Sequence, residues 1–358
     1  MECPAKLDGL LVTKIVITVG PNTSTPESWR QIIDSGADAF RFPASKFGVD
    51  VLTDQAWSVA KEADGLGAKL DLLLDLPGSK TRLTNDNGFP LDPQRPVRVA
   101  FSPEEADPRL DPPRLGISGG GLDEVAVGDV LVTGDGEEAL AVEAVADDHC
   151  IARPLTSGEL GRRRGVTVSG RSNASESLTA GDREGLETLG AAPFTGVIVS
   201  FVESAKTVRE VKESLARSFG NRPPPAVIAK VETAAGIGAI QEILDESDGV
   251  LLGRGDLLLD VGPIEFYDAC RSVLKAADKQ GVPAIVGTQL LVSLSNTWLP
   301  NRSELAYVSH LIEKRVHGLM LSTETTVGKH PTRTVAMLSS LIERYGAESG
   351  RLPLFRAS

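Results

Sequence analysis

Cysteine is scarce in this 358-residue chain: Cys3, Cys150 and Cys270 lie far apart and match no zinc-ligand spacing. That argues against a disulfide framework or a cysteine-based metal module. Long apolar runs are missing too, since no window approaches the ~18 apolar residues of a membrane span. Residues 1–13 lack the basic start and apolar stretch of a secretory leader. No Gly-x-Gly-x-x-Gly fingerprint follows the first apolar run, which lowers the case for an open, doubly wound dinucleotide-binding sheet. Net positive charge is also absent: 37 Lys and Arg against 49 Asp and Glu give −12. An acidic chain has no global pull on nucleic acid or anionic membranes, so an anionic ligand must meet a local cationic pocket. A reducing cytoplasm is the expected compartment.

What is present is an ordinary globular composition, 41% hydrophobic and 24% charged, on a length that suits a barrel plus an insertion. Eight short apolar runs alternate with helix-length amphipathic segments: 14–20, 37–43, 70–78, 196–202, 226–232, 249–256, 284–289 and 318–325. Their near-continuous Val, Ile and Leu content predicts parallel strands covered on both faces. Thr25 followed by Pro26 reads as a cap and first turn of the first helix. The expected fold is an α/β TIM barrel of eight βα units, built from residues 1–84 and 184–358. Residues 85–183 change character, being rich in Pro, Gly, Asp and Arg, with short β-like pieces at 97–101, 129–132 and 139–144. They read as a small β-domain inserted in a βα loop, where it would act as a lid or as mere decoration.

Polar residues within the runs cluster at their ends: Arg41, Asp75, Lys230, Glu232, Asp256, Thr288 and Glu324. In a barrel those ends converge on one mouth. Lys230 and Glu232 are two apart on a strand and so share a face. Glu232 with Asp256 from the next strand makes a hard-cation site for magnesium or manganese. Arg41 and Lys230 supply the positive charge that an anionic, phosphorylated substrate needs. The same four charges would also serve as a buried salt-bridge network that only fills the barrel.

At these residues the chain resembles the pyruvate kinase family over nearly its whole length. Thr13-Lys14-Ile15-Val16 through Gly20-Pro21 is similar to the family's opening strand, and Ala229-Lys230-Val231-Glu232 with Gly236 to its Lys-Ile-Glu segment. Ser247-Asp248-Gly249 through Arg254-Gly255-Asp256-Leu257, Gly287-Thr288-Gln289-Leu290-Leu291, Pro300 to Glu304 and Leu321-Ser322-Thr323-Glu324-Thr325 follow in the family's order and spacing. The resemblance implies divalent-metal ligands at Glu232 and Asp256, and at Lys230 the lysine that neutralises the transferring phosphoryl group. It implies a substrate-binding arginine at Arg41. It places the phosphoenolpyruvate carboxylate on Gly255, Asp256 and Thr288, with Thr288 also organising the proton donor to the enolate. The insertion falls where the family carries a small β-barrel lid, and Leu160-Gly161-Arg162-Arg163-Arg164-Gly165-Val166 resembles a lid segment. That makes Arg164 a candidate nucleotide contact, with Ser45 and Arg82 on the same side.

The sequence also departs from the family. Arg41-Phe42-Pro43-Ala44-Ser45-Lys46 carries Pro43 where an asparagine lies beside the nucleotide phosphates and a monovalent cation, and Leu76 replaces a threonine of that cation site. Lys80 stands where the family usually has glutamate, and family members with lysine there are potassium-independent. The alternative is a solvent-facing loop lysine. Val292 and Tyr307 replace a glutamate and an aspartate, and no counterpart of the family's C-terminal domain is expected beyond Tyr345. The implied activity is magnesium-dependent phosphoryl transfer between phosphoenolpyruvate and ADP in glycolysis, without a potassium requirement. The alternatives are a repurposed enolate enzyme (lyase, aldolase, decarboxylase or phosphoenolpyruvate-using transferase) and a non-catalytic relative. The partners expected are these small molecules, with a homo-oligomer through barrel faces as the one macromolecular association left open.

Overall fold

The computed structural model describes residues 13–45, 47–119, 122, 124–170, 178–346 and 353–356. Cys3, Lys46 and all but the last residue of the leader reading of residues 1–13 lie outside them. Eight parallel strands close a barrel: β1 (Lys14–Thr18), β2 (Ala39–Pro43), β3 (Asp71–Leu76), β4 (Gly196–Val199), β5 (Ala226–Val231), β6 (Gly249–Gly253), β7 (Ala284–Gly287) and β8 (Gly318–Leu321). Each strand pairs with its sequence neighbours, and β8 closes on β1 with Lys14 opposite Gly318. All eight expected strands are present. Seven of the eight observed strands end one to four residues before their apolar runs, and β2 ends with its run at Pro43, because the polar tails leave the ladder to build the mouth. Asp256 therefore sits in the first turn of the helix Arg254–Gln280, and Glu324 in the short helix Thr323–Thr326, rather than on strands 6 and 8. Thr288 follows β7 instead of closing it. The first helix, Pro26–Asp34, starts as its sequence predicts, with the Ser28 backbone N–H donating to Thr25 Oγ1 at 3.3 Å.

The side-chain period of two decides what faces inward. One apolar residue from each strand fills the barrel interior: Val16, Ala39, Leu73, Ile198, Ile228, Leu251, Ile285 and Met320. Their neighbours, such as Phe40 and Phe42 on β2 or Val227, Ala229 and Val231 on β5, pack outward against the helices. Two residues beyond the interior layer, the same inward face reads Thr18, Arg41, Asp75, Ser200, Lys230, Gly253 and Gly287. A dry layer thus supports a polar one at the C-terminal face. At the opposite end Leu354 plugs the floor, packed with this interior layer and almost fully buried, while the Arg356 N–H donates to the Asp248 carbonyl at 2.7 Å.

Between β3 and β4 lies a second, nearly closed seven-stranded sheet with its own core, including Val97, Val99, Leu115, Leu131, Leu140 and Val166. Its strands run from Arg82–Leu83 to Val166–Val168, and Arg82 bridges Gly165 at the joint between first and last. The expected pieces appear as strands Val97–Ala100, Val130–Thr133 and Glu138–Val145. The helix Ala180–Thr188 packs with the main barrel core through Leu186. This lid touches the barrel mouth: the Gly170 N–H donates to the Leu259 carbonyl at 3.0 Å. Among the described residues no helix is long and apolar enough to cross a membrane.

Candidate active site

The polar layer forms one hydrogen-bonded chain across five strands. Arg41 Nη1 donates to Thr18 Oγ1 at 3.1 Å, and Nε donates to Asp75 Oδ2 at 2.6 Å. Ser200 Oγ donates to Asp75 Oδ1 at 3.4 Å and accepts from Lys230 Nζ at 3.4 Å. Lys230 Nζ ends 2.8 Å from Glu232 Oε1, and Glu232 Oε2 accepts the Phe201 N–H at 3.3 Å. Glu232 is only 2% exposed. It fits because β6 offers Gly253 beside it: a Cβ there would stand 2.6 Å from Glu232 Cγ. Burial alone would push the Lys230 ammonium towards its neutral form, but Glu232 and then Asp75 outweigh it and hold its pKa above the ordinary lysine value.

The remaining carboxylate enters from the helix Arg254–Gln280. Asp256 Oδ1 accepts Lys80 Nζ at 2.5 Å, and Lys80 and then Lys230 hold its pKa below the ordinary value in spite of burial. Glu232 behaves oppositely: burial, reinforced by the Asp256 charge, raises its pKa although Lys230 opposes this. The buried Glu232 and the partly exposed Asp256 therefore share one mouth and respond to it in opposite directions. Both line a narrow pocket with Lys80, Thr81, Val166 and Thr233. Lys80 crosses from the barrel edge under the lid, where Gly165 leaves room; a Cβ there would lie 2.3 Å from Lys80 Cε.

Gly255 lies against Thr288, since a Cβ on it would meet Thr288 Cγ2 at 3.3 Å. Thr288 and Gln289 both have positive φ, 72° and 50°. For residues with side chains this conformation costs on the order of 1–3 kcal/mol each, and it persists only when neighbours enforce it. One enforcer is Glu324, whose Oε1 accepts the N–H groups of Leu290 and Leu291 at 3.1 Å each, and whose Oε2 accepts Ser322 N–H at 2.9 Å. Glu324, grouped with the mouth charges by its sequence position, is thus spent on backbone and faces no ligand.

The structure brings together Arg41, Lys230, Glu232, Asp256, Gly255, Thr288 and Lys80. Lys80 meets Asp256, Asp75 is paired with Arg41, and Ser45 is exposed. Arg82 donates to the Arg163 carbonyl at 3.3 Å and Arg164 pairs with Glu137 at 3.1 Å, both at the lid edge. Sequence reasoning missed Thr18 and Ser200, which the period of two, applied to β1 and β4, would have found. It also missed Asp135, a lid-turn carboxylate that accepts Gln289 Nε2 at 3.5 Å. Burial and then Glu137 push its pKa up. No periodicity marks that residue.

A family model described as pyruvate kinase, barrel domain, matches residues 11–335. The chain is 30% identical over 331 residues to the pyruvate kinase of Aeropyrum pernix, covering 92% of this chain and 70% of that protein. It is 32% identical over 346 residues to pyruvate kinase 2 of Synechocystis sp., covering 94% and 57%. Against the pyruvate kinase of Thermoplasma acidophilum it is 28% identical over 329 residues, covering 92% and 57%. The chain thus spans little more than half the length of two of these relatives.

Proposed function

We propose that this chain, which belongs to the pyruvate kinase family, transfers the phosphoryl group of phosphoenolpyruvate to ADP by way of the enolate of pyruvate. The observation that carries this reading is the largely buried ammonium of Lys230, 2.8 Å from Glu232 and aimed into a mouth that holds Arg41 and two carboxylates. A phosphoryl group in transfer spreads negative charge over its oxygens and asks for positioning and electrostatic screening more than covalent help.

The donor set fits a divalent cation. Among the described residues no three His, Cys, Asp or Glu side chains gather as a metal-binding group. Magnesium, however, is commonly held by one or two carboxylates, with substrate oxygens and water completing its shell. Glu232 and Asp256 supply those two, and both line the same narrow pocket. When bound, magnesium or manganese would act as a Lewis acid on the substrate oxygens.

The chain's own residues do the rest. The Gly255 and Asp256 backbone at the helix start, with the Thr288 hydroxyl, holds the substrate carboxylate. Arg41, fixed by Asp75 and Thr18, and Lys230 face the phosphoryl oxygens. The P–O bond to the enol oxygen breaks as a new one forms to the terminal ADP oxygen. The electron pair stays on the enolate, whose methylene carbon then takes a proton from water organised by Thr288. The lid contact through Asp135 and Gln289 supports closure over the mouth and exclusion of bulk water.

Pro43 and Leu76 favour a second reading, an enolate enzyme with altered nucleotide chemistry. Pro43 pairs with Asp75 in the β2–β3 register and offers no side-chain amide, and Leu76 points outward into the core. Oxalate, which mimics the enolate, and ADP, each titrated with magnesium, separate the readings alongside a turnover assay. ATP formation from phosphoenolpyruvate and ADP is the expected result. Oxalate binding without ATP formation would replace it with the second reading, and failure to bind either would leave a non-catalytic relative.

Lys80 adds a fixed ammonium beside Asp256. Activity should therefore be unchanged when potassium is replaced by sodium or a bulky organic cation at constant ionic strength, which removes general screening as a cause. A saturable potassium requirement would refute the substitution.

A further inference from the structure

Thr288 is held in its unfavourable backbone conformation from two sides, one of them the Glu324 carboxylate that holds the following N–H groups. The other is Arg254. Its Nε donates to the Gly287 carbonyl at 2.8 Å and a terminal nitrogen donates to the Thr288 carbonyl. The guanidinium in turn lies over the Tyr307 ring, 4.7 Å from its centroid. Arg254 opens the helix that carries Gly255 and Asp256, and Tyr307 sits on the helix Arg302–Glu313. One planar fork therefore ties the loop after β7 to the helix after β6, across the two elements that meet at the substrate carboxylate.

We propose that Arg254, seated on Tyr307, is a positioning residue that sets the Thr288 hydroxyl for the proton-transfer step at the enolate. This inference rests on the reading given under Proposed function. Arg254 touches no reacting atom; it acts through the two carbonyls, whose direction fixes the Thr288 Cα–Cβ bond. A planar fork that bonds two successive carbonyls defines both peptide planes, which a single ammonium cannot do. The aromatic face supplies an electrostatic seat for a cation two of whose donors are committed to carbonyls, and phenylalanine would retain that face while losing only the Tyr307 hydroxyl, which also lies within hydrogen-bonding reach of Arg254. The phosphoryl side of the site, built on Lys230 and Arg41, has no contact with this clamp, so the two halves of the reaction should separate on mutation.

The test uses proton–deuterium exchange at the methyl group of pyruvate, with magnesium in D2O and no nucleotide, together with the affinity for oxalate and the thermal midpoint. In R254K the exchange rate should fall by about tenfold or more, since the fork is lost and the charge kept. In Y307L it should fall by about three- to tenfold, and in Y307F it should stay within about twofold, because the ring face survives only in the latter. Oxalate affinity should fall clearly less than the exchange rate in R254K and Y307L, because a displaced Thr288 loosens only one of the groups that hold a carboxylate while Lys230, Arg41 and Glu232 stay in place, and it should be unchanged in Y307F. Exchange that proceeds in R254K and Y307L as in the wild type would overturn the inference while leaving the proposed activity standing. A parallel collapse of oxalate affinity and thermal midpoint would also overturn it, reducing Arg254 to a structural brace. Absence of exchange in the wild type would remove the enolate reading itself, and the inference with it.

Discussion

Lys230→Met should lower the turnover number by at least about two orders of magnitude while substrate binding survives. Methionine keeps most of the stem and deletes the charge. Two unit charges ~4 Å apart at an effective dielectric of ~20 interact by about 4 kcal/mol. A hundredfold in rate is about 2.7 kcal/mol, so the expected loss requires only part of that interaction to be specific to the transition state. The contact that complicates the experiment is Glu232, 2.8 Å away and buried. Losing one partner of a buried pair costs up to about 3–5 kcal/mol, although a carboxyl whose pKa is already raised by burial can shed part of that cost by taking a proton. The measurement is therefore turnover at saturating substrate, with unfolding followed in parallel. A folded variant with near-normal turnover would make Lys230 structural, and the phosphoryl-transfer reading would lose its principal cation.

The barrel was legible because its signal is redundant. Nearly every strand is a short run dominated by Val, Ile and Leu, and eight apolar runs alternating with helices leave few other closures. The mouth was most legible where a charge stands within or just after a strand, as at Arg41, Lys230 and Glu232. Ser200 and Thr18 carry the same positional signal but no charge, so the links that join Arg41, Asp75 and Lys230 into one chain went unnoticed. Glu324 is the opposite case: its position groups it with the mouth charges, but its oxygens are taken by three backbone N–H groups. Lys80 is a third kind of case. Its place in the sequence marks it as unusual, but its partner, Asp256, lies 176 positions away and only the closed chain brings them together. Arg254 and Tyr307 meet for the same reason, through packing between successive βα units, which no local pattern encodes.

Glu232→Gln should abolish metal-dependent activity and weaken manganese or magnesium binding by at least about a hundredfold, because one of two charged ligands is lost. The fold should tolerate the change. Glutamine is nearly isosteric, its amide oxygen can still accept the Phe201 N–H that Glu232 accepts now at 3.3 Å, and the closely fitted space beside Gly253 is unaltered. Lys230 loses a partner but keeps Ser200 and the nearby Asp75 charge. The competing account, a salt-bridge network that only fills the barrel, makes the reverse prediction. There, removing one member leaves Lys230 uncompensated and costs about 3–5 kcal/mol of stability, with no change in metal binding because no site was present. Calorimetric titration of manganese and a denaturant midpoint on the same variant place it on one side or the other. The double variant Lys230→Met with Glu232→Gln sharpens the contrast: with both charges gone the network account restores stability and leaves metal binding alone. The metal account leaves Asp256 as the remaining charged ligand of the pair, and a site held by one carboxylate already committed to Lys80 should bind the cation no better than the single variant does.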